Sequence, residues 1–350
     1  MDHRVFGLAR IVLVVLAIGV VTSVEPLAYV QVPASPAGSG SLLDKSLPDP
    51  AFAPTSPPVS VPDPVLTSGT STPLALEALS SDDRDNSTCT DWVILAHQTP
   101  WQVTDTINAG YRLVDIYVES FSPSHLFTGV YVANTGAYAK SWWWYYGLTE
   151  AALEDALEDH DARLISLKAY DTGSGQIRFT AVMISNTGAD ARIWWWYYNA
   201  TPANITDLID EQEEEVRLTQ INAYQTNGVT LYAVVMVDNT GDDGKAWWWY
   251  YDIPLEALSS AIGENNARLV DMDIHPVTGN LNAITNSCPS GCPYWWWYVN
   301  VPEDQVLDMA NQHGARVIDV SDFPGCGSTC YDVILISNCS HQIYVPLVLR

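Results

Sequence analysis

The chain has 350 residues, of which 41 are acidic and 15 basic, and its formal net charge is −26. This balance argues against DNA, RNA or an anionic membrane as a ligand, because contact with phosphates requires a basic surface. Acidity of this degree is typical of a protein that stays in solution outside the cell.

The N-terminal segment predicts export. Arg4 and Arg10 precede an apolar run at Ile11–Val21, and the small residue Ser23 follows it. This is the layout of a secretory signal peptide over residues 1–23, with cleavage after Ser23. The alternative is an uncleaved membrane anchor, although the run is shorter than the ~20 residues that a membrane span needs. The expected location is therefore secreted or cell-envelope, extracytoplasmic, with membrane contact only through such an uncleaved segment.

Residues 24–88 are rich in Pro, Ser, Ala, Gly and Thr, as in ASPAGSGS and SGTSTP. Such a composition buries too little surface to offset its ordering entropy. We expect a disordered, semi-extended tether that holds a folded domain, residues 89–350, away from a surface or a partner.

Three sequence markers recur in constant order through that domain. The first is a tryptophan box (WWWYY or WWWYV), whose copies begin at Trp142, Trp194, Trp247 and Trp295. The second is an arginine that opens an alternating segment, at Arg112, Arg163, Arg217, Arg268 and Arg316. The third is an asparagine turn, such as ANTG at Ala133. The markers predict five tandem units of about 50 residues, near 90–140, 141–192, 193–245, 246–293 and 294–350.

Each unit is expected to contain a box strand, a helix, an arginine strand and an asparagine strand, which makes the domain an α+β repeat protein. Proline begins several of the predicted helices, as at Pro100 and Pro202. Right-handed crossovers would place all five helices on one side of a continuous sheet. DWVILA around Trp92 and IYVPLV near the C-terminus occupy box positions without the triplet, as capping units of an array often do.

Two short segments carry a family resemblance. GYRLVDI at Gly110–Ile116 and GLT at Gly147–Thr149 resemble the βαββ module called bacterial tandem repeat domain 1, over roughly Thr90 to Arg350. The resemblance implies a curved, right-handed half-barrel sheet with the helices on its outer face. Such modules occur beside the β-lactamase-like catalytic domain of polyglycine hydrolases. This chain has no Ser-x-x-Lys motif, so that activity is not transferred to it, and no catalytic residue is predicted.

The boxes are the candidate binding residues. Alternate residues of a strand face opposite sides, so one aromatic set is expected beneath the helices and the other on a helix-free face. There they would form a ladder bordered by Asp115, Ser166, Gln220, Asp271 and Asp319. The predicted ligand-binding residues are Trp142, Trp143, Trp144, Trp194, Trp195, Trp196, Trp247, Trp248, Trp249, Trp295, Trp296 and Trp297. The five arginines are predicted to be structural, satisfying carbonyls where helix meets strand.

The leading hypothesis is an exported, non-catalytic repeat domain that binds or scaffolds through this ladder. The partner would be an extracellular glycan, a cell-wall polymer or another surface protein. One alternative is an accessory or substrate-binding domain of a secreted serine hydrolase system. The other is a purely structural surface protein whose tryptophans are core.

No cofactor or metal is predicted. The seven histidines are interpreted as recurring at no repeat position, and no HExxH motif or Ser–His–Asp set is present. Asp190, Asp242 and Asp243 give only a weak calcium signal.

The six cysteines predict disulfides because the chain is expected to be exported. Cys288 with Cys292, and Cys326 with Cys330, are close enough in sequence to pair locally, and a four-cysteine zinc site is the alternative. Cys89 and Cys339 remain, at opposite ends of the array. They can pair only if the first and last units are adjacent, since a disulfide needs Cα atoms within about 7 Å. An open arc would leave Cys89 free or bonded to another molecule.

Overall fold

The computed structural model describes residues 30–32, 84, 86–173, 175–212, 215–241, 244–288, 292–322 and 330–338. The predicted signal peptide and most of the predicted tether lie outside these residues, as do Asp242, Asp243, Cys326 and Cys339. No described helix combines the length and the apolar character needed to cross a bilayer.

The predicted order of strand, helix, strand and strand is confirmed in all five repeats. A short strand, β1, precedes them at Val30–Val32. Repeat 1 contains β2 (Trp92–Gln98), α1 (Pro100–Asn108), β3 (Tyr111–Ser120) and β4 (Leu126–Ala133). Repeat 2 contains β5 (Trp142–Leu148), α2 (Glu150–Asp159), β6 (Ala162–Asp171) and β7 (Ile177–Ser185). Repeat 3 contains β8 (Trp194–Ala200), α3 (Pro202–Glu211), β9 (Val216–Thr226) and β10 (Val229–Asp238). Repeat 4 contains β11 (Trp247–Ile253), α4 (Leu255–Asn265), β12 (Ala267–Ile274) and β13 (Leu281–Ser287). Repeat 5 contains β14 (Trp295–Pro302), α5 (Glu303–His313), β15 (Ala315–Asp322) and β16 (Cys330–Ser337).

We call the three strands of each repeat, in chain order, its box strand, Arg strand and Asn strand. They form a three-stranded antiparallel sheet with the Asn strand in the centre and the box strand at one edge. Strand pairing stays within each repeat, instead of running through one continuous sheet, and the described strands form no closed barrel. The exception is β1, which adds to the outer edge of β11.

The chain divides into two compact units. Repeats 3 and 4, with Ala169–Gln176, lie in one unit, and repeats 1, 2 and 5 lie in the other. Within the second unit, Arg strand β15 of repeat 5 packs against Arg strand β3 of repeat 1. Within the first, β12 packs against β9. Repeats 5 and 1, and repeats 3 and 4, therefore meet through their Arg strands without sharing a sheet, whereas Arg strand β3 of repeat 1 packs against Asn strand β7 of repeat 2.

The helices begin at threonine caps or prolines, as the sequence indicates. The Thr99 and Thr201 side chains each form a capping box, with Gln102 and Asn204 respectively. Helix α4 follows Pro254, and α5 follows Pro302. Each helix buries two apolar residues one turn apart, which anchors it on the sheet.

A left-handed residue interrupts each box strand five residues after its start. The positions are His97 (φ 52°), Gly147 (φ 67°), Asn199 (φ 54°), Asp252 (φ 48°) and Asn300 (φ 56°). Gly, Asn and Asp tolerate this region better than most residues, and a register shift accompanies it in every box. At the bulge a backbone N–H is not used in strand pairing. In repeat 5 this is the N–H of Asn300, which donates to the Asp332 carboxylate at 2.7 Å.

The recurring arginines are buried, and those of repeats 1 and 2 reach a turn. Arg112 Nε donates to the carbonyl of Tyr138 at 2.8 Å, and Arg163 Nε donates to that of Asp190 at 3.2 Å. Both acceptors lie in the 3₁₀ turn that follows the Asn strand, not at the helix-to-strand junction where we expected them. The reason is register: Arg112 pairs with Val132 near the end of the Asn strand, so its guanidinium reaches the turn beyond.

The fifth repeat joins the first through the same hydrogen bonds that join the first to the second. The Asn134 side chain donates to the carbonyl of Lys140 at 3.1 Å and accepts from its N–H at 2.9 Å. The Asn338 side chain makes the same pair with Thr90, at 2.8 and 3.3 Å. Of the two arrangements that the cysteines left open, these contacts match the one with adjacent first and last repeats.

Cys89, Cys288, Cys292 and Cys330 are disulfide-bonded, and no described cysteine is free. The prediction of disulfides is confirmed for these four, and the zinc alternative is wrong for them because a bonded sulfur cannot act as a thiolate ligand. Which cysteine pairs with which stays a prediction.

Arg163→Ala should lower the free energy of unfolding by about 1.5–3 kcal/mol, because it removes a buried charged donor from the partly buried carbonyl of Asp190. Urea denaturation of the full chain measures this loss. Arg178→Ala is the matched control: Arg178 is half-buried and bonds its neighbour's carbonyl at 2.9 Å, so the loss should stay below about 0.5 kcal/mol. Equal losses in the two variants would contradict a structural role for the recurring arginines.

Candidate functional site

The twelve box tryptophans are all at least partly buried, but not equally. Those of repeats 2 and 4 are buried, with exposures of 8% or less. Those of repeats 3 and 5 are half-buried. The residues directly before these two boxes, Ile193 and Tyr294, are 61% and 79% exposed. Among the box tryptophans, those that reach solvent are therefore in boxes 3 and 5.

In boxes 2 and 4, the first and third tryptophans pack beneath the helix of the preceding repeat. Trp142 and Trp144 share a core cluster with Val103 and Ile107 of α1. Trp247 and Trp249 share another with the two buried isoleucines of α3. Phe127 meets Trp144 edge to face, with ring centroids 5.7 Å apart. This set holds one repeat against the next, as core aromatics do.

The second and fourth box residues contact their own repeat's helix, so the expected helix-free aromatic face is absent from repeat 2. Trp143 stacks on His160 at a centroid distance of 4.3 Å, and Tyr145 Oη lies 2.6 Å from His160 Nε2. In repeat 5, Trp296 stacks on His313 at 4.4 Å. His160 is the C-cap of α2, and His313 is the last residue of α5.

These two histidines do recur at one repeat position, so our interpretation of the histidines was wrong. Each follows the first tryptophan of its box by 18 residues. The same position holds Gln212 in repeat 3 and Asn265 in repeat 4, and Asn265 Nδ2 donates to Tyr250 Oη at 3.1 Å. The shared signal is a polar side chain at a helix end, which a search for identical residues misses.

The polar residues expected to border a groove are instead buried and link repeats. Their exposures are 0% for Asp115, Ser166, Asp271 and Asp319, and 1% for Gln220. The Asp115 carboxylate accepts from Ser166 Oγ at 2.7 Å and from the N–H of Val320 at 3.0 Å. The Asp271 carboxylate accepts from Gln220 Nε2 and from the backbone N–H of Ile221. The Asp115 and Asp271 carboxylates stabilise the contacts between repeats because each accepts hydrogen bonds from a neighbouring repeat.

The calcium candidate Asp190 is engaged in an ion pair. Its Oδ1 lies 2.5 Å from Lys140 Nζ, and the Lys140 side chain is 8% exposed. Among the residues that the structure describes, no group of three or more His, Cys, Asp or Glu side chains could hold a metal ion.

One polar cluster that the sequence did not indicate lies between repeats 1 and 5. His97 Nδ1 is 2.6 Å from Glu119 Oε2, and His97 Nε2 is 3.2 Å from Glu303 Oε2. Thr128 Oγ1 donates to Glu119 and lies 3.0 Å from Tyr331 Oη. The hydrogen bond to Glu119 raises the pKa of His97 most, and the charge of Glu303 adds to it. No spacing motif connects these residues, since repeats 1 and 5 bring them together.

A cleft of about 680 Å³ adjoins this cluster. Its lining includes Ile94, Ala96, Val306, Glu303 and Asp304. The lining contains no serine, cysteine or lysine; its polar side chains are those of Glu303, Asp304 and Tyr331.

His97→Asn should make the stability of the chain less dependent on pH. Asparagine occupies the equivalent left-handed position in repeats 3 and 5, so the variant keeps the backbone. Because the folded pKa of His97 is raised, its stabilisation is fully present below the ordinary value of 6.5 and is lost as pH rises through the folded value. Urea denaturation should show a larger stability difference between wild type and variant at about pH 5 than at about pH 9. A stability difference that is constant with pH would contradict a stabilising interaction of His97 with the carboxylates of Glu119 and Glu303.

Trp249→Ala should destabilise the chain by about 3–5 kcal/mol, because it opens a cavity where the indole is 1% exposed. Trp196→Ala removes the equivalent, half-buried residue of box 3 and should cost about 1–2 kcal/mol. Urea unfolding of the two variants measures the difference. Equal costs would mean that the boxes of repeats 3 and 4 have the same structural role.

Comparison with known proteins gives one family. The model of the polyglycine hydrolase-like structural repeat matches residues 139–186 and 193–239. No curated protein matches the sequence. The two matched segments coincide with repeats 2 and 3, each from just before its box strand to the end of its Asn strand. The resemblance inferred from GYRLVDI and GLT is thus confirmed for two adjacent repeats, which are similar to the structural repeats of polyglycine hydrolase-like proteins.

Proposed function

We propose that the protein is an extracytoplasmic, non-catalytic repeat domain that binds extended polypeptide segments along the outer edges of its box strands. The observation that carries the proposal is the pairing of β1 with β11. Val30, Gln31 and Val32 lie opposite Trp249, Trp248 and Trp247 in antiparallel register. A segment of this chain far from the repeats in sequence thus already occupies one such edge.

The sheet topology supports this mode of binding. Each box strand is an edge strand, so alternate N–H and C=O groups point away from its sheet. Within the described part of the chain, β2, β5, β8 and β14 each pair with a single strand. Backbone hydrogen bonds from an added strand supply affinity, and pockets beside the strand supply specificity.

The aromatic residues suit this role in repeats 3 and 5. There the box tryptophans are half-buried, and exposed Ile193 or Tyr294 extends the apolar surface by one residue. Large exposed apolar edges are usually covered in soluble proteins because they otherwise promote association. An extended peptide would cover both the backbone groups and the indole surfaces.

Two further observations favour an extracytoplasmic binding domain over an enzyme. Disulfide-bonded cysteines are typical of proteins that fold in an oxidising compartment. The cleft beside His97 has no serine, cysteine or lysine in its lining, and the matched family model describes a structural repeat.

Glycan binding is the second candidate. Trp196 and Tyr198 are both half-buried, and their rings stack at 5.9 Å with an interplanar angle of 16°. Two offset, partly exposed rings of this kind can contact the apolar face of a sugar.

A trans-peptide experiment tests the main proposal. The full chain carries Val30→Pro and Gln31→Pro together; because adjacent amides point in opposite directions, one of these two faces β11. A fluorescent peptide of residues 27–33 (LAYVQVP) should bind this variant saturably in anisotropy measurements. Wild type should bind roughly tenfold or more weakly, because its own segment competes at high effective concentration.

The control is the same peptide with both proline changes, which should bind neither protein. Equal binding of the two peptides would contradict strand addition, and so would failure of LAYVQVP to bind the variant. Equal retention of variant and wild type on insoluble cell-wall polymer, without peptide binding, would replace the proposal with the glycan candidate.

A further inference from the structure

At the junction of repeats 5 and 1, smaller residues replace two aromatic rings. At the junction of repeats 1 and 2, the Phe127 ring packs edge to face against Trp144 and Tyr146, at centroid distances of 5.7 and 5.6 Å. Tyr331 is the counterpart of Phe127 in repeat 5, because each lies 15 residues after the arginine of its Arg strand. Box 1 contributes no ring at the positions of Trp144 and Tyr146, so Tyr331 lacks both of these aromatic partners.

The cleft of about 680 Å³ lies beside these two positions. They hold Ile94 and Ala96, and both residues line the cleft together with Tyr331 and Val306. Small-molecule sites in proteins commonly have volumes of about 300–1,000 Å³ and mostly apolar walls. A flat ring that enters the cleft would meet the ring of Tyr331 and gain the stabilisation of an edge-to-face contact. The cleft therefore fits an aromatic group.

The charged residues of the described lining are all acidic. Glu303 and Asp304 lie in the first turn of α5, and both are exposed. The described lining contains no lysine or arginine. His97 lies 3.2 Å from Glu303, but it also pairs with Glu119, so two carboxylates share one histidine. The cleft thus favours a cationic group over an anionic one.

We infer that the cleft binds a small aromatic amine in its cationic form. The aromatic ring lies against Tyr331, between Ala96 and Val306, and the ammonium group lies near Glu303 and Asp304. This site is formed by the side chains of a repeat junction and not by the outer edge of a box strand. It is therefore independent of the proposed function.

Tryptamine tests the inference, because it joins an indole ring to an ammonium group through two carbon atoms. Calorimetric titration of the full chain compares it with indole-3-propionate, which has the same ring and linker but a carboxylate. The buffer contains about 150 mM NaCl, which limits attraction by distant charges to a Debye length of ~8 Å. We expect saturable tryptamine binding with a Kd on the order of 0.1–1 mM, as suits so small a ligand. Indole-3-propionate should bind about tenfold more weakly or less.

Ala96→Tyr fills the cleft with a ring of the chain itself. Tyrosine stands at this position in boxes 2, 3 and 4, so the urea midpoint should be at least as high as that of wild type. Tryptamine affinity should fall by about tenfold or more, because the ring of the variant occupies the site.

Asp304→Asn tests the charge with little change of shape. It should weaken tryptamine binding about two- to fivefold, the range of a solvent-exposed ion pair. Asp308→Asn is the matched control, since it removes the same charge from an exposed position of α5 outside the lining. It should leave the affinity unchanged.

Four results would overturn the inference. Equal affinity for tryptamine and indole-3-propionate would exclude selection of a cation. Undiminished tryptamine binding to a folded Ala96→Tyr variant would place the ligand elsewhere. Equal weakening by Asp304→Asn and Asp308→Asn would reduce the effect to the net charge of the chain, and this pair decides if Ala96→Tyr does not fold. The fourth is the absence of saturable binding up to about 10 mM tryptamine.

Discussion

Within each compact unit, the repeats depend on the packing of the first and third box tryptophans beneath the preceding helix, box 2 under α1 and box 4 under α3. Each of these two boxes is part of two repeats, because its backbone pairs with its own sheet while its indoles fill the core under another helix. A three-stranded sheet with one helix buries little surface alone, so such a unit needs a neighbour to be stable. The buried carboxylates of Asp115 and Asp271 reinforce these contacts at the Arg strands.

This use of the side chains limits what the boxes can offer a ligand. In repeat 2, helix α1 covers the face formed by the first and third box residues, Trp142 and Trp144. The C-terminal cap of α2, His160, covers the opposite face, where Trp143 lies. The remaining unsatisfied feature of a box strand is its backbone at the outer edge, with whatever indole surface the packing leaves exposed. A function based on strand pairing therefore follows more directly from this geometry than one based on an open aromatic ladder.

The sequence predicted the repeat and its element order because three markers recur at one period, and each marks a local feature. The conformation of an asparagine turn, a helix cap or an alternating strand is determined by a few consecutive residues. It could not predict the faces of the boxes, since alternation gives two faces but not which neighbour covers each. The polar positions illustrate this: Asp115 alternates with apolar residues like a surface side chain, yet it is buried because a second repeat supplies its partners. The left-handed position of each box was likewise not predicted, because four different residue types, His, Gly, Asn and Asp, occupy it and only the backbone conformation is common to them.

The cleft between repeats 1 and 5 follows from the same packing rule. Trp92, Ile94 and Ala96 occupy the positions of Trp142, Trp144 and Tyr146, and they pack toward Val306 of α5 as boxes 2 and 4 pack beneath α1 and α3. Ile94 and Ala96 are much smaller than the aromatic residues that they replace, and both line the cleft. The space is therefore where aromatic rings would lie if box 1 resembled the others. At this junction the ion pair of His97 with Glu303 and the paired amide hydrogen bonds of Asn338 bridge the two repeats, in addition to apolar packing with smaller side chains than at the junctions of repeats 1 and 2 and of repeats 3 and 4.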